Sequence, residues 1–224
     1  MAREQGWPRI VPLVSLPHSG GTWLAELLTE VPGYARRPIR DPDGCTAEHD
    51  VCQAVFESLP ADRLSVVKLH TRPRRANVEL LERLALRTVV LDRDLRDQCV
   101  SRYFHVLADP WHRHHDHYSN GPKHDALTHS VSVTLDEYLP WVVGWREASA
   151  RSGTFLSVGY EELRQDPAAT LGRILGFLGI DLPPVEPAAI VDRVERRTRF
   201  ELSPRSLARG STARRGWWAI GGTT

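Results

Sequence analysis

The sequence predicts a single α/β domain: a central, mainly parallel β-sheet between two helical layers, a three-layer sandwich. Short apolar runs rich in β-branched residues recur along the chain. Each is followed by a segment with helical spacing, and no internal repeat or second domain interrupts the 224 residues. Strands that alternate with helices are joined by crossover connections and so pair in parallel. The length is enough for one domain with a sizeable core. At 41% hydrophobic and 25% charged residues, the composition is globular and excludes a disordered chain.

The elements follow in order. IVPLVSL (10–16) is short and apolar throughout, as a buried central strand is. TWLAELLTEV (22–31) has helical spacing and stops at Pro32-Gly33. Residues 33–50, rich in Pro, Gly and Asp, read as a loop, and 51–59 as a short helix. LSVVKLH (64–70) is a strand, NVELLERLAL (77–86) a helix, RTVVLDR (87–93) a strand and 94–107 a helix. Residues 108–132 are polar, aromatic and His-rich with no clean period, which predicts a long lid-like loop. A helix over 134–150 with a break at Pro140, a strand over 154–160 and a helix over 168–180 complete the pattern. From 181 onward the chain is Pro- and Arg-rich, and 195–224 reads as irregular.

A formal net charge of +1 gives no basic excess of the kind that nucleic-acid binding needs, so any anion site must be local. Lys68 and Lys123 are the only lysines in an arginine-rich chain, and the two cations are not interchangeable in a tight site. Three cysteines (Cys45, Cys52, Cys99) without CxxC spacing read as reduced thiols of a cytoplasmic protein. The N-terminus lacks a signal-peptide h-region, and no run of about 18 apolar residues suggests a membrane span.

The chemistry starts at PHSGGT (17–22), where a strand gives way to a helix. In a parallel sheet, ligands bind outside the carboxyl ends of the strands. Successive backbone N–H groups in a glycine-containing turn, with the positive end of a helix, form an anion nest. Gly20 and Gly21 permit close approach of a phosphate. GxxxxGK[ST] is absent, so this is no nucleoside-triphosphatase loop. A plain glycine turn capped by Thr22 has the same sequence. Lys68 and His70, two residues apart at a strand end, point to the same side, although a solvated strand end looks alike. Arg93 closes the next strand, with Ser101 about two helical turns beyond it. A surface ion pair and an ordinary helix serine would read the same.

Taken together, these stretches resemble the sulfotransferases that use 3′-phosphoadenosine 5′-phosphosulfate (PAPS), a P-loop-like fold. Their PKSGTTWL is similar to Pro17–Leu24, and their KTH to Lys68-Leu69-His70. Their arginine with a serine eight residues later falls on Arg93 and Ser101. Their YED, FLG and TSF elements look like Tyr160-Glu161-Glu162, Phe177-Leu178-Gly179 and Thr198-Arg199-Phe200. RKGxxGxW is only loosely matched, at 208–218, and this chain stops soon after it, where family members continue for another helix or so.

The resemblance implies roles. Ser19, Gly20, Gly21 and Thr22 would hold the 5′-phosphosulfate end with backbone amides, with Trp23 near the adenine. Arg93 and Ser101 would hold the 3′-phosphate, helped by Arg209 and Gly210, or by Arg214 or Arg215 if the alignment slips. Tyr160, Thr198 and Phe200 would line the adenine pocket. His70 would be the general base, an imidazole suiting that task near neutral pH, and Lys68 would stabilise charge near the transferring group. The desulfated product would be PAP. The donor carries its own activated group, so no metal is implied. The acceptor would be a hydroxyl of a small molecule, glycan or glycolipid. One departure stands out: the family's first-motif lysine is His18 here, which carries charge only as imidazolium.

The segment 111–125 holds His112, His114, His115, His117 and His124. Imidazole is a common zinc ligand, but this spacing matches no closed tetrahedral site, which favours a polar lid over the acceptor. Trp111, Tyr118, Tyr138 and Trp141 are candidates for an aromatic acceptor surface, or equally for core. The competing functions are a P-loop nucleotide kinase, opposed by the missing GK[ST], and a catalytically weak nucleotide-binding homologue, which His18 would fit.

Overall fold

A computed structural model describes residues 6–39 and 49–201. Its centre is a five-stranded sheet made of β1 (Ile10–Ser15), β2 (Tyr34–Arg36), β3 (Leu64–Leu69), β4 (Thr88–Asp92) and β5 (Phe155–Gly159). All neighbours pair in parallel, in the order β2-β3-β1-β4-β5. β1 sits between β3 and β4, where the strand order reverses. The crevice at its carboxyl end is therefore the topological switch point at which α/β sheets bind ligands.

Side-chain alternation builds the three layers. Val11 and Leu13 of β1 and Leu64 and Val66 of β3 face one core, closed by α1 (Gly21–Thr29), α9 (Pro167–Leu178) and α10 (Glu186–Glu201). Ile10, Val14, Val67 and Leu69 face the other, closed by α2 (Gln53–Glu57), α3 (Arg75–Arg83) and α7 (Leu139–Arg151). The same parity puts Lys68 on the α1 side. The remaining helices are α4 (Leu95–Ala108), α5 (His115–Asn120), α6 (Lys123–Val133) and α8 (Tyr160–Gln165). α4, α5 and α6 enclose a smaller cluster of Tyr103, Val106, Tyr118 and Ala126.

Local chemistry sets the helix ends. Asp94 caps α4, its side chain accepting from the Arg96 and Asp97 amides. Asp166 caps α9 through the Ala169 amide, ahead of Pro167. Such a cap contributes about 1 kcal/mol. α9 ends at Gly179, whose φ of +73° is the left-handed closure that glycine permits.

Five expectations are corrected. β2 lies inside the segment read as loop, because three residues are too few to show alternation. Residues 108–132 hold α5 and α6 instead of a loop: Tyr118 and Ala126 bury against α4, and the Ser130 hydroxyl donates to the Cys99 carbonyl at 2.8 Å. Pro140 breaks nothing. It lies in the first turn of α7, which continues without interruption from a π-turn at Thr134–Tyr138, and such a local widening accommodates a missing N–H without ending the helix. Residues 186–201 form α10, with Ile190, Val191 and Val194 at helical spacing in the core. Cys52 is disulfide-bonded whereas Cys99 is a buried free thiol, so the thiols are not uniformly reduced. Among the described residues no helix is long and apolar enough to cross a membrane.

Candidate active site

The turn after β1 is held open by backbone conformation. His18 (φ +63°) and Gly20 (φ +84°) both adopt left-handed geometry. α1 then starts at Gly21 with no side-chain cap, so the amides of its first turn have no intrahelical acceptor. Ser19 turns inward. It is fully buried, its amide donates to the Leu16 carbonyl at 3.2 Å, and its hydroxyl donates to the same carbonyl at 2.5 Å. Of the expected cradle, Ser19 thus shapes the turn, and Gly20, Gly21 and Thr22 remain to offer amides.

Both glycines are sterically required. A Cβ on Gly20 would lie 2.6 Å from the Tyr160 ring, and one on Gly21 would lie 2.4 Å from Ser15 Oγ. Tyr160, at the start of α8, therefore seals the turn from the β5 side. Arg93, one residue past β4, stacks on the same ring with its guanidinium 4.6 Å from the centroid. Its Nη1 donates to the His18 carbonyl at 3.2 Å, and its Nε is buried with no hydrogen-bond partner. Gln98 Nε2 donates to the Pro17 carbonyl at 3.3 Å, tying α4 to the turn. Ser101 follows three residues later on the same side of α4. Arg93 thus meets the glycine turn directly, at the His18 carbonyl.

On the β3 side, Lys68 Nζ donates to Thr22 Oγ1 at 3.2 Å. Burial, and then the Arg36 charge, lower its pKa. His70 Nδ1 lies 2.7 Å from the Ser15 carbonyl oxygen. A carbonyl only accepts, so Nδ1 carries the hydrogen and Nε2 keeps its lone pair. Burial pushes the His70 pKa down to about 4, against the raising effect of that bond. His18 is lowered to about 3, by burial first and then by His105, His70, Arg102 and His112. Its ring leans on His105 at 4.3 Å between centroids. Without an anion beside it, His18 is neutral.

Trp23 is half-buried against the α9 core. Thr198 lies on α10 and donates its hydroxyl to the Val194 carbonyl at 2.9 Å. Phe200 lies on the same helix. Arg209 and Gly210, with Arg214 and Arg215, lie outside the described residues. Of the proposed aromatic surface, Tyr118 is core, Trp111 is 94% exposed, and Trp141 is buried with its indole N–H on the Thr71 carbonyl. Among the described residues no group of His, Cys, Asp or Glu suits a metal ion. Sequence reasoning missed Gln98, Arg102 and His105, which the i, i+4 and i, i+3 spacing of α4 would have grouped.

A glycine turn at the switch point of an all-parallel sheet, opening a helix beside strand-end cations, defines a phosphate-binding α/β protein of the P-loop-like class. The family is set by a direct match: residues 8–203 fit the sulfotransferase domain, and the chain belongs to that family. Mouse sulfotransferase 1A1 is 25% identical over 214 residues, covering 87% of this chain and 67% of the relative. Among solved structures, mouse sulfotransferase SULT7A1 complexed with PAP superposes with a TM-score of 0.64 at 21% identity, covering 83% of this chain and 64% of the other. Retinol dehydratase in complex with retinol and PAP gives 0.51 at 18%, covering 89% and 66%. The chain therefore spans about two-thirds of the length of these relatives.

Proposed function

We propose that this chain transfers a sulfuryl group from PAPS to a hydroxyl of a small-molecule or glycan acceptor, in the way its family membership suggests. The observation that carries the reading is the geometry of His70. Its Nδ1 is committed to the Ser15 carbonyl, which leaves Nε2 as a neutral base beside Lys68 and the phosphate turn.

The residues present fit the donor. Arg93 has a buried Nε without an acceptor, and a guanidinium pairs with phosphate oxygens in a fork. With Ser101 it would hold the 3′-phosphate. The Gly20, Gly21 and Thr22 amides would face the 5′ end, with Tyr160 and Trp23 on the adenine side. When bound, the donor supplies an activated sulfuryl group and a leaving phosphate. His70 Nε2 takes the proton of the acceptor hydroxyl. Lys68 sets fixed positive charge where negative charge builds, and such preorganised charge is the main source of rate in this chemistry. His18 carries charge in this scheme only when the donor's phosphates draw a proton onto it against its burial. That PAP accompanies both structural neighbours supports the nucleotide choice, and the retinol bound to one supports a small-molecule acceptor.

Replacing His70 by Asn tests this directly. Turnover should fall by about 10²–10⁴-fold, the usual contribution of a general base, while PAP affinity changes little. Undiminished turnover would remove His70 from the mechanism. A second reading, a weakly active nucleotide-binding homologue, draws on the neutral His18. In that case PAP binds and no acceptor is sulfated. We further propose a cytoplasmic location, in keeping with the low cysteine count. Fractionation tests it: the protein should co-purify with cytoplasmic markers, and recovery in a membrane or exported fraction would place it elsewhere.

A further inference from the structure

Arg102 is 4% exposed, and the proposed mechanism does not use it. Its guanidinium donates to the Tyr118 hydroxyl, lies 5.6 Å from that ring's centroid, and sits near the Tyr138 hydroxyl. Among the described residues no carboxylate pairs with it. A buried cation whose acceptors are neutral hydroxyls has not recovered its lost hydration. Its other neighbours are imidazoles. His18 meets His105 at 4.3 Å, His105 meets His112 at 5.8 Å, His112 meets His114 at 5.6 Å, and His114 meets His129 at 4.7 Å. His105, His112 and His114 are each partly exposed.

We propose that this imidazole cluster beside Arg102 is an anion-recognition subsite for the acceptor, so that the substrate is a hydroxyl compound that also bears a carboxylate, sulfate or phosphate. The proposal rests on the sulfuryl-transfer reading and narrows its acceptor. Position supports it: His18 joins the cluster at one end and lies in the field of His70 at the other. A hydroxyl at His70 and an anion at Arg102 would belong to one molecule. The donor's own phosphates already have Arg93, Lys68 and the amide nest. Burial, and then the charges of Arg102 and neighbouring residues, hold His105, His112, His114 and His129 below the usual imidazole range. The nearby acids oppose this: Asp109 raises His105 and His112, and Glu137 raises His129. An arriving anion raises all four rings, so each can become a donor.

The test compares 3-(4-hydroxyphenyl)propionate with its carboxamide, two probes that differ only in charge, binding to the PAP-loaded protein by calorimetry. The acid should bind at least about tenfold more tightly, as a charge-assisted contact does. Its enthalpy should vary with buffer ionisation as imidazoles take up protons. In Arg102→Gln the preference should collapse toward unity. Should that variant misfold, His112→Gln must reduce the preference severalfold, and the wild-type comparison decides on its own. Equal binding of acid and amide by the wild type overturns the proposal. So does a shift of the His112 and His114 imidazole resonances on adding PAP alone, which would assign the anion to the donor. Failure of the transfer reading shows separately, as absence of PAP binding.

Discussion

Replacing Gly20 by Ala probes the turn where its geometry is tightest. Gly20 has φ +84°, and a Cβ there would sit 2.6 and 2.7 Å from two ring carbons of Tyr160. The left-handed conformation costs a non-glycine residue about 1–2 kcal/mol. The ring clash resembles overpacking, at about 1–3 kcal/mol. Together they come to about 3 kcal/mol, which for a domain of this size lowers Tm by about 6–12 °C. The Tyr160 ring cannot move alone, because the Arg93 guanidinium stacks on it at 4.6 Å, so PAP affinity should fall as well. The assay is thermal unfolding with PAP calorimetry, repeated in a Tyr160→Ala background. There the steric part disappears and Gly20→Ala should cost only the conformational 1–2 kcal/mol, roughly. Equal costs in both backgrounds would refute the claim that Tyr160 closes the turn.

Other outcomes follow from the same geometry. Gly21→Ala places a Cβ 2.4 Å from the buried Ser15 Oγ and should impair folding or PAP binding, with partial rescue by Ser15→Gly; no rescue would locate the strain elsewhere. Arg146→Met removes the Nε–Oδ2 contact of 2.8 Å to Asp92, which is 3% exposed. Stranding a buried carboxylate should cost about 1–3 kcal/mol in urea unfolding. His18 and His70, lowered to about 3 and about 4, bind protons more weakly folded than unfolded. Their stabilising effect is complete above about pH 6.5 and is lost on acidification toward those values. The loss approaches about 1.4 kcal/mol per pH unit for each, and a stability flat from pH 7 to 5 would contradict it. His18→Lys should flatten the alkaline fall in turnover that an imidazolium imposes on the wild type; identical pH–rate profiles would deny His18 a charged role.

Much of this was legible because the signals are local. β1, β3, β4 and β5 are apolar runs whose ends mark the sheet's carboxyl edge, so Lys68, His70 and Arg93 could be placed from spacing alone. β2 could not, since three residues carry no period. α5 and α6 were hidden because their buried positions are few, Tyr118 in α5 and Ala126 and Ser130 in α6, and leave no apolar stripe to read. The roles of Ser19 and Tyr160 were also out of reach. Whether a serine hydroxyl turns inward, or a tyrosine covers a glycine far away in sequence, depends on tertiary packing. The same holds for Arg102: an arginine on a helix reads as surface until a neighbouring helix buries it.

Calorimetric titration with PAP and with 5′-AMP, of the wild type and of Arg93→Met, addresses the nucleotide site most directly. The account predicts that PAP binds the wild type far more tightly than 5′-AMP, and that Arg93→Met removes most of that difference. If PAP and 5′-AMP bind the wild type equally, or PAP does not bind, the strand-end cations do not form a 3′-phosphate site.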